Sequence, residues 1–316
     1  VNILARFNQR VCDWLRQHVC REPLATGRLI SSEGWDESGK PRGMILWLAG
    51  EGGWIRLYKD VEPRHRYCIG ADVGTGSAGG NPCAAIVYDR DTNDVVCRLM
   101  GMMDVISFAR ELLLLGTYFN RAWINCESNT PGTNDHLCGR DIGNPRYSRL
   151  YLDETAGRYD AQSGKPIPGF WTDTASKAFM LGVIDAAFQP AEGSKDPSTV
   201  TVRCYDEMTI GQIKGTFLNK AGIVTYPLTD QGSVKLHGDL VVAFGLALVA
   251  HQSPTCPMER IPATERQYPS PMARLAALEL EQIAQSSEGG DRSTQGEWSP
   301  PTGEWEAPAR QWSDEE

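Results

Sequence analysis

The sequence of 316 residues lacks the patterns that mark several large classes of protein. It contains no apolar run of the roughly 18 residues that a membrane-spanning helix needs. Residues 1–10 lack the basic-then-apolar order of a signal peptide. We therefore expect a soluble, cytoplasmic protein with no membrane partner.

Common cysteine and histidine motifs are also missing. The nine cysteines are odd in number and form no CxxC pair, which argues against a disulfide framework and against a thiolate zinc site. The five histidines are scattered and form no HExxH pattern. We interpret most of the cysteines as small apolar core residues.

The net charge of -9 is unevenly distributed. From Pro254 onward there are twelve acidic and five basic residues, so most of the excess acid lies in this tail. The remainder is nearly neutral, and local basic groups there can still bind phosphate. We predict an N-terminal helix and loop extension at 1–53, a folded domain at 54–253 and a mostly disordered acidic tail at 254–316, with a possible short helix. The tail pattern is equally typical of a solubilising segment and of a partner-binding one.

The fold prediction depends on the segment 67–89, where two apolar, β-favouring runs flank a glycine-rich turn. A third run at 94–99 follows a short turn, so the three runs predict an antiparallel meander. A helical stripe at 104–119 precedes a fourth strand at 121–126, which a helical crossover would make parallel to the sheet. The sequence therefore predicts a mixed α/β sheet flanked by helices.

Weaker patterns predict the remaining elements. Apolar spacing indicates helices at 2–20, 131–139, 174–188 (capped by Thr172 or Thr174) and 236–251, and strands at 54–58, 149–152, 201–204, 215–218 and 223–226, with a possible hairpin within 22–53.

Three carboxylates have positions that could serve chemistry. Asp72 lies inside the first strand of the meander, Glu127 ends the fourth strand, and Asp239 opens the last helix. Each has an ordinary alternative: a turn cap, a solvated acid opening a loop, or an acid complementing the helix dipole. If the three converge at one edge of the sheet, their oxygens suit Mg²⁺ or Mn²⁺. Two such ions could hydrolyse a phosphodiester without a covalent nucleophile.

Five motifs resemble the nuclease domain of the large terminase subunit, the tailed-bacteriophage enzyme that cuts concatemeric DNA during genome packaging. They are RHRYCIGADVGTG at 64–76, AAIVYDRDT at 84–92, WINCESNTPG at 123–132, GFWTDTASKAFML at 169–181 and HGDLVVAFGLAL at 237–248. The resemblance covers residues 54–251 and implies a ribonuclease H-like fold and metal-dependent endonuclease activity.

By position, Asp72, Glu127 and Asp239 match the metal-binding acids of that family, and His237 lies beside the last one. Lys177 matches a recurrent lysine that could contact a phosphate, although a solvated lysine at a helix start is the ordinary alternative. Relatives often carry an acid at the position of Asn81 and a second aspartate at that of Gly238, so an auxiliary ligand of the second metal could be missing here.

The resemblance also implies double-stranded DNA bound with low sequence specificity, and a packaging ATPase, a small terminase subunit and a portal as partners. The chain contains no GxxxxGK[ST] motif, so we expect a nuclease domain alone, a split subunit or a remnant that does not hydrolyse ATP. Two alternatives stay open: another ribonuclease H-like nuclease such as a resolvase or integrase, and a non-catalytic component that docks on a portal or motor.

Overall fold

The computed structural model describes residues 4–74, 80–130, 132–153, 159, 164, 166–218, 224–225 and 238–257. Its strands are β1 (Leu4–Ala5), β2 (Ala25–Ser31), β3 (Ile45–Ala49), β4 (Ile55–Leu57), β5 (Tyr67–Asp72), β6 (Cys83–Asp89), β7 (Asp94–Gly101), β8 (Trp123–Cys126), β9 (Arg203–Cys204), β10 (Phe217–Leu218) and β11 (Val224–Thr225). Its helices are α1 (Gln9–His18), α2 (Val105–Tyr118), α3 (Thr133–Leu137), α4 (Thr174–Ala187), α5 (Glu207–Lys214) and α6 (Asp239–Gln252). None of the helices in these ranges is long and apolar enough to cross a membrane.

The larger sheet has the strand order β3-β2-β4-β7-β6-β5-β8, with β9 added in parallel to β7. Strands β5, β6 and β7 form the antiparallel meander, and β8 returns parallel to β5 after the α2 crossover. The run of buried apolar residues along β6 is typical of a central strand that is covered on both faces. This topology confirms the predicted ribonuclease H-like mixed sheet flanked by helices.

Helices cover both faces of this sheet. On one face, α2 packs in a core that includes Ile69 and Val87. On the other, α1, α4, α5 and α6 share a core with Cys68 and Ile86. Successive residues of a strand point to opposite faces, so Gly70 and Asp72 face the same side as Cys68. That side is the one on which α6 lies.

The N-terminal helix differs from its prediction. It begins at Gln9, where the side chain of Asn8 caps it by accepting a hydrogen bond from the Val11 amide, and it ends at His18. The residues before it form β1, which joins β10 and β11 in a second, small sheet. The predicted helix at 2–20 is therefore wrong in its first turns, because strand pairing with a distant segment outcompetes local helical spacing.

Three further local predictions were wrong or incomplete. The segment 149–152 contributes single bridges, including the one between Leu150 and Ile124, and no regular strand. Helix α4 is capped by Asp173, whose side chain accepts from two backbone amides, and not by Thr172 or Thr174. Helix α5 was not predicted at all.

The hairpin expected within 22–53 is present as β2 and β3, which continue the larger sheet through β4. The domain boundaries at 53 and 253 stay predictions. The predicted tail lies almost entirely outside the described residues.

Candidate active site

The edge where β5 and β8 end brings two of the predicted acids together. Asp72 is the last residue of β5, and the parallel register pairs Ala71 with Cys126. The ladder continues one step further, because the Glu127 amide donates a hydrogen bond to the Ala71 oxygen at 2.8 Å. Glu127 is therefore fixed beside Asp72 by backbone pairing.

The electrostatics of Asp72 indicate close contact with the other two acids. Burial raises the pKa of Asp72 well above its usual value, and the charge of Glu127, a hydrogen bond between the two side chains, and the charge of Asp239 raise it further. Burial, followed by the charge of Glu127, raises the pKa of Asp239 to about 6. The three predicted acids therefore lie within electrostatic reach of one another.

The loop that carries Glu127 is held by a buried asparagine. The side-chain amide of Asn134 on α3 donates to the Glu127 oxygen at 3.1 Å and to the Cys126 oxygen at 3.4 Å. The Ser128 amide donates to the Phe170 oxygen at 2.8 Å. Because these bonds fix the backbone on both sides of Glu127, its carboxylate is presented from a rigid support.

Helix α6 places Asp239 by packing directly on the backbone of β5. A Cβ atom on Gly70 would lie 1.9 Å from the backbone oxygen of Ala243, so only glycine allows this approach. The neighbouring strand contributes Asn125, whose buried side chain donates to the Leu246 oxygen at 2.9 Å. Asp239 itself is 4% exposed, at the first position of the helix.

Lys177 lies near the same edge. Its positive charge lowers the pKa of Asp72, opposing the larger effects of burial and of the neighbouring acids. The helix that carries it begins beside a reciprocal clamp: the Thr172 amide donates to Asn129 Oδ1 at 2.7 Å, and Asn129 Nδ2 donates to the Thr172 oxygen at 2.5 Å. The clamp ties the start of α4 to the loop after Glu127.

The other two predicted auxiliary residues have different outcomes. The backbone of Asn81 lies at this edge, since a Cβ atom on Gly74 would lie 2.1 Å from the Asn81 oxygen. His237 lies outside the described residues. The roles proposed for both side chains stay predictions.

The donor set of this site fits a hard divalent cation. Asp72, Glu127 and Asp239 offer only carboxylate oxygens. Oδ2 of Asp239 is buried and has no hydrogen-bond partner within the described part of the chain. Over those same residues, no three Asp, Glu, His or Cys side chains are grouped so that they could hold a metal ion as they stand. Asp72 and Glu127 instead share a hydrogen bond between their side chains. A cation would replace the proton in that hydrogen bond.

Three supporting residues were missed in the sequence: Asn125, Asn134 and Gln212, whose Oε1 accepts a hydrogen bond from the Leu240 amide at 3.0 Å. A polar residue inside a buried strand and a glycine at Gly70 were signals of close packing that could have been used. For Gln212 there was no signal, since α5 itself was not predicted.

Comparisons with known proteins come from solved structures. No protein-family model matches the sequence, and no curated protein matches it. The large terminase nuclease from thermophilic phage G20c is 14% identical, with a TM-score of 0.45, over 78% of this chain and 98% of that one. The same nuclease with bound magnesium is 17% identical, with a TM-score of 0.42, over 63% and 89% of the two chains. The large terminase nuclease domain of Thermus phage P74-26 is 18% identical, with a TM-score of 0.43, over 67% and 93%.

These structures belong to the family that the sequence motifs resemble. All three TM-scores are below 0.5.

Proposed function

We propose that this chain is a metal-dependent DNA endonuclease of the large-terminase type, which cuts concatemeric viral DNA during genome packaging. The observation that carries the proposal is that backbone pairing fixes Glu127 beside Asp72, and that the charge of Glu127 raises the pKa of both Asp72 and Asp239. The three acids come from the end of β5, the end of β8 and the start of α6. Clusters of acids with strongly raised pKa values are typical of sites that bind metal or transfer protons.

In this proposal Asp72, Glu127 and Asp239 hold two Mg²⁺ or Mn²⁺ ions. When bound, such ions would activate a water molecule and stabilise the leaving oxygen of a phosphodiester. The protein's contribution is to fix the three carboxyl groups on two strand ends and one helix start, and bound cations would favour their deprotonated forms. Lys177 can bind a non-bridging phosphate oxygen, because its charge already acts on Asp72.

Cysteine nucleophiles do not compete with this mechanism at the site. Burial raises the pKa of Cys83 to about 11 and raises that of Cys126 well above its usual value. Both thiols therefore stay protonated near neutral pH and are poor nucleophiles.

The substrate and partners follow from the same proposal. We propose double-stranded DNA cut with low sequence specificity in the host cytoplasm, with a packaging ATPase, a small terminase subunit and a portal as partners. A nearly neutral body would bind DNA weakly by itself, so such partners would supply much of the affinity.

The test is cleavage of supercoiled plasmid by purified protein with Mn²⁺, Mg²⁺ or EDTA. We expect cutting with either metal and none in EDTA. Asp72→Asn and Asp239→Asn should each abolish it, because each removes a negatively charged ligand oxygen. Asp196→Asn is the matched control, since Asp196 is an exposed cap of a short helical turn and asparagine caps equally well.

Two outcomes would contradict the proposal. Cutting that survives in EDTA would exclude the metal mechanism. A clean protein that binds DNA but cuts with neither metal would favour the non-catalytic packaging component, with the departures at Asn81 and Gly238 as the first substitutions to reverse.

A further inference from the structure

We propose that Gln212 on α5 is a positioning residue for Asp239, because it supplies the hydrogen-bond acceptor that the start of α6 lacks in its own sequence. The inference rests on the proposed function, in which Asp239 is a metal ligand. Gln212 would touch neither metal nor DNA and would act only through the first turn of α6.

Among the described residues, no side chain next to α6 in the sequence caps the start of this helix. The residue before the helix is Gly238, and no side chain there accepts a hydrogen bond from the first turn. The first N–H groups of any helix have no partner within the helix, and Ser, Thr, Asp or Asn usually satisfies them. A buried helix start without such a residue needs an acceptor from elsewhere in the fold.

Gln212 is that acceptor. Its Oε1 accepts a hydrogen bond from the Leu240 amide at 3.0 Å, and both residues are buried. The amide oxygen and not the nitrogen must face Leu240, because a backbone N–H can only donate. Leu240 directly follows Asp239, so the bond fixes the backbone at the carboxylate itself.

The support under Gln212 is rigid. Asp206 caps α5 by accepting from the Thr209 amide at 2.8 Å. At the other end of α5, the side chain of Gln9 donates to the Lys214 oxygen at 3.1 Å. Ile210 and Ile213 are fully buried in the core that α5 shares with α6. Gln212 is therefore held on a helix that is fixed at both ends.

Other contacts with α6 act further along the helix. Asn125 binds the Leu246 oxygen in its middle, and Arg90 binds the His251 oxygen near its end at 3.1 Å. Among the described residues, the side chain that forms a hydrogen bond with the first turn of α6 is Gln212, which accepts from the Leu240 amide. Without it, we expect the helix to stay docked while its first turn frays and Asp239 loses its direction.

The first test measures the bond itself without metal. Hydrogen exchange of the Leu240 amide, followed by NMR in EDTA, should become at least about tenfold faster in Gln212→Met relative to the Val242 amide. Gln212→Glu keeps an acceptor oxygen and should keep the protection. Equal protection of Leu240 in wild type and Gln212→Met would overturn the inference, as would loss of protection in Gln212→Glu.

The second test measures the consequence for metal. Calorimetric titration with Mn²⁺ should give a dissociation constant about tenfold higher for Gln212→Met than for wild type, the scale of lost support around a ligand. The control is Ile213→Val, which removes one methylene-sized group from the same helix and leaves the Gln212 hydrogen bond in place. It should lower the thermal stability and leave the Mn²⁺ affinity within about twofold.

The two hypotheses fail in different ways. Absence of Mn²⁺ binding by the wild-type protein would refute the proposed function. Equal Mn²⁺ affinity of Gln212→Met and Ile213→Val, when the wild type binds the metal, would leave the function intact and reduce Gln212 to a purely structural residue.

Discussion

Two groups of acids lie at opposite ends of the strands of the larger sheet, and they differ in their charged neighbours. At the β6–β7 turn, Asp91 accepts from the Arg66 side chain, and Asp94 accepts from Lys59 at 3.0 Å. Burial by itself would raise the pKa of Asp91, but the hydrogen bonds from Arg66 outweigh it and lower the pKa. At the other end, burial and Glu127 raise the pKa of Asp72.

This chain pairs acids with cationic side chains at the end where they support the fold. At the β6–β7 turn, Arg66 and Lys59 pair with the acids. Around Asp72, Glu127 and Asp239 the charge of Lys177 opposes the crowding but does not cancel it. A bound cation would offset the repulsion among these acids and so stabilise the folded state.

The largest expected effect separates the two ends by activity. Glu127→Gln should lower plasmid cutting by at least roughly a thousandfold, as removal of one member of a catalytic unit commonly does. Asp91→Asn should leave the cutting rate of the folded protein within about threefold, since it lies at the far end of β6. Equal loss of cutting activity by both folded variants would contradict the proposed difference between the two groups of acids.

The next effect concerns stability at the compensated end. Asp91→Asn should lower the free energy of unfolding by about 2 kcal/mol, because it removes charge-assisted hydrogen bonds to Arg66. Urea unfolding in EDTA measures this. A variant as stable as wild type would mean that Arg66 is solvated equally well without its partner.

At the end that holds Asp72, replacing an aspartate by asparagine should change the free energy of unfolding in the opposite direction. Asp72→Asn should raise the free energy of unfolding in EDTA near neutral pH, because it removes a carboxyl group whose pKa is raised by burial and by Glu127. In saturating Mn²⁺ the order should reverse, because only the wild type gains stability from the metal. Destabilisation by Asp72→Asn in EDTA would contradict the account of this site.

The smallest effect is a difference in pH dependence. The pKa of Asp239 is raised to about 6, so its protonated form favours the fold at low pH, and this contribution is lost as the pH rises through about 6. In EDTA, Asp239→Asn should therefore gain stability relative to wild type between about pH 4 and pH 7. Asp91→Asn should lose stability relative to wild type as the pH rises, because the Asp91 pKa is lowered. Parallel curves would show that the two ends do not differ.

Much of the fold could be predicted from the sequence, and so could the meeting of Asp72 and Glu127 at one edge of the sheet, while the roles of the three acids stay predictions. Long apolar runs with short turns specify β5 to β7, and the helical crossover makes β8 parallel to β5. Carboxylates at adjacent strand ends must meet once that register is known, which is why Asp72 and Glu127 were found. Asp239 was selected because it opens the last helix and matches an acid of the family that the motifs resemble.

The unpredicted features depend on contacts between distant segments. Helix α5 has eight residues, and only Ile210 and Ile213 are fully buried apolar side chains, too few for a clear period. The hydrogen bond that the Leu240 amide donates to Gln212 spans 28 positions of sequence and depends on how two helices pack. The first turns predicted for α1 became β1 for the same reason, since pairing with β10 is invisible to local spacing.

The most direct test of the central claim is a calorimetric titration of Mn²⁺ into wild type, Asp239→Asn and Asp91→Asn near neutral pH. The account predicts binding by the wild type and by Asp91→Asn, with binding lost or strongly weakened in Asp239→Asn. Wild-type protein that binds no Mn²⁺, or equal binding by all three proteins, would contradict the claim that the uncompensated acids form a metal centre.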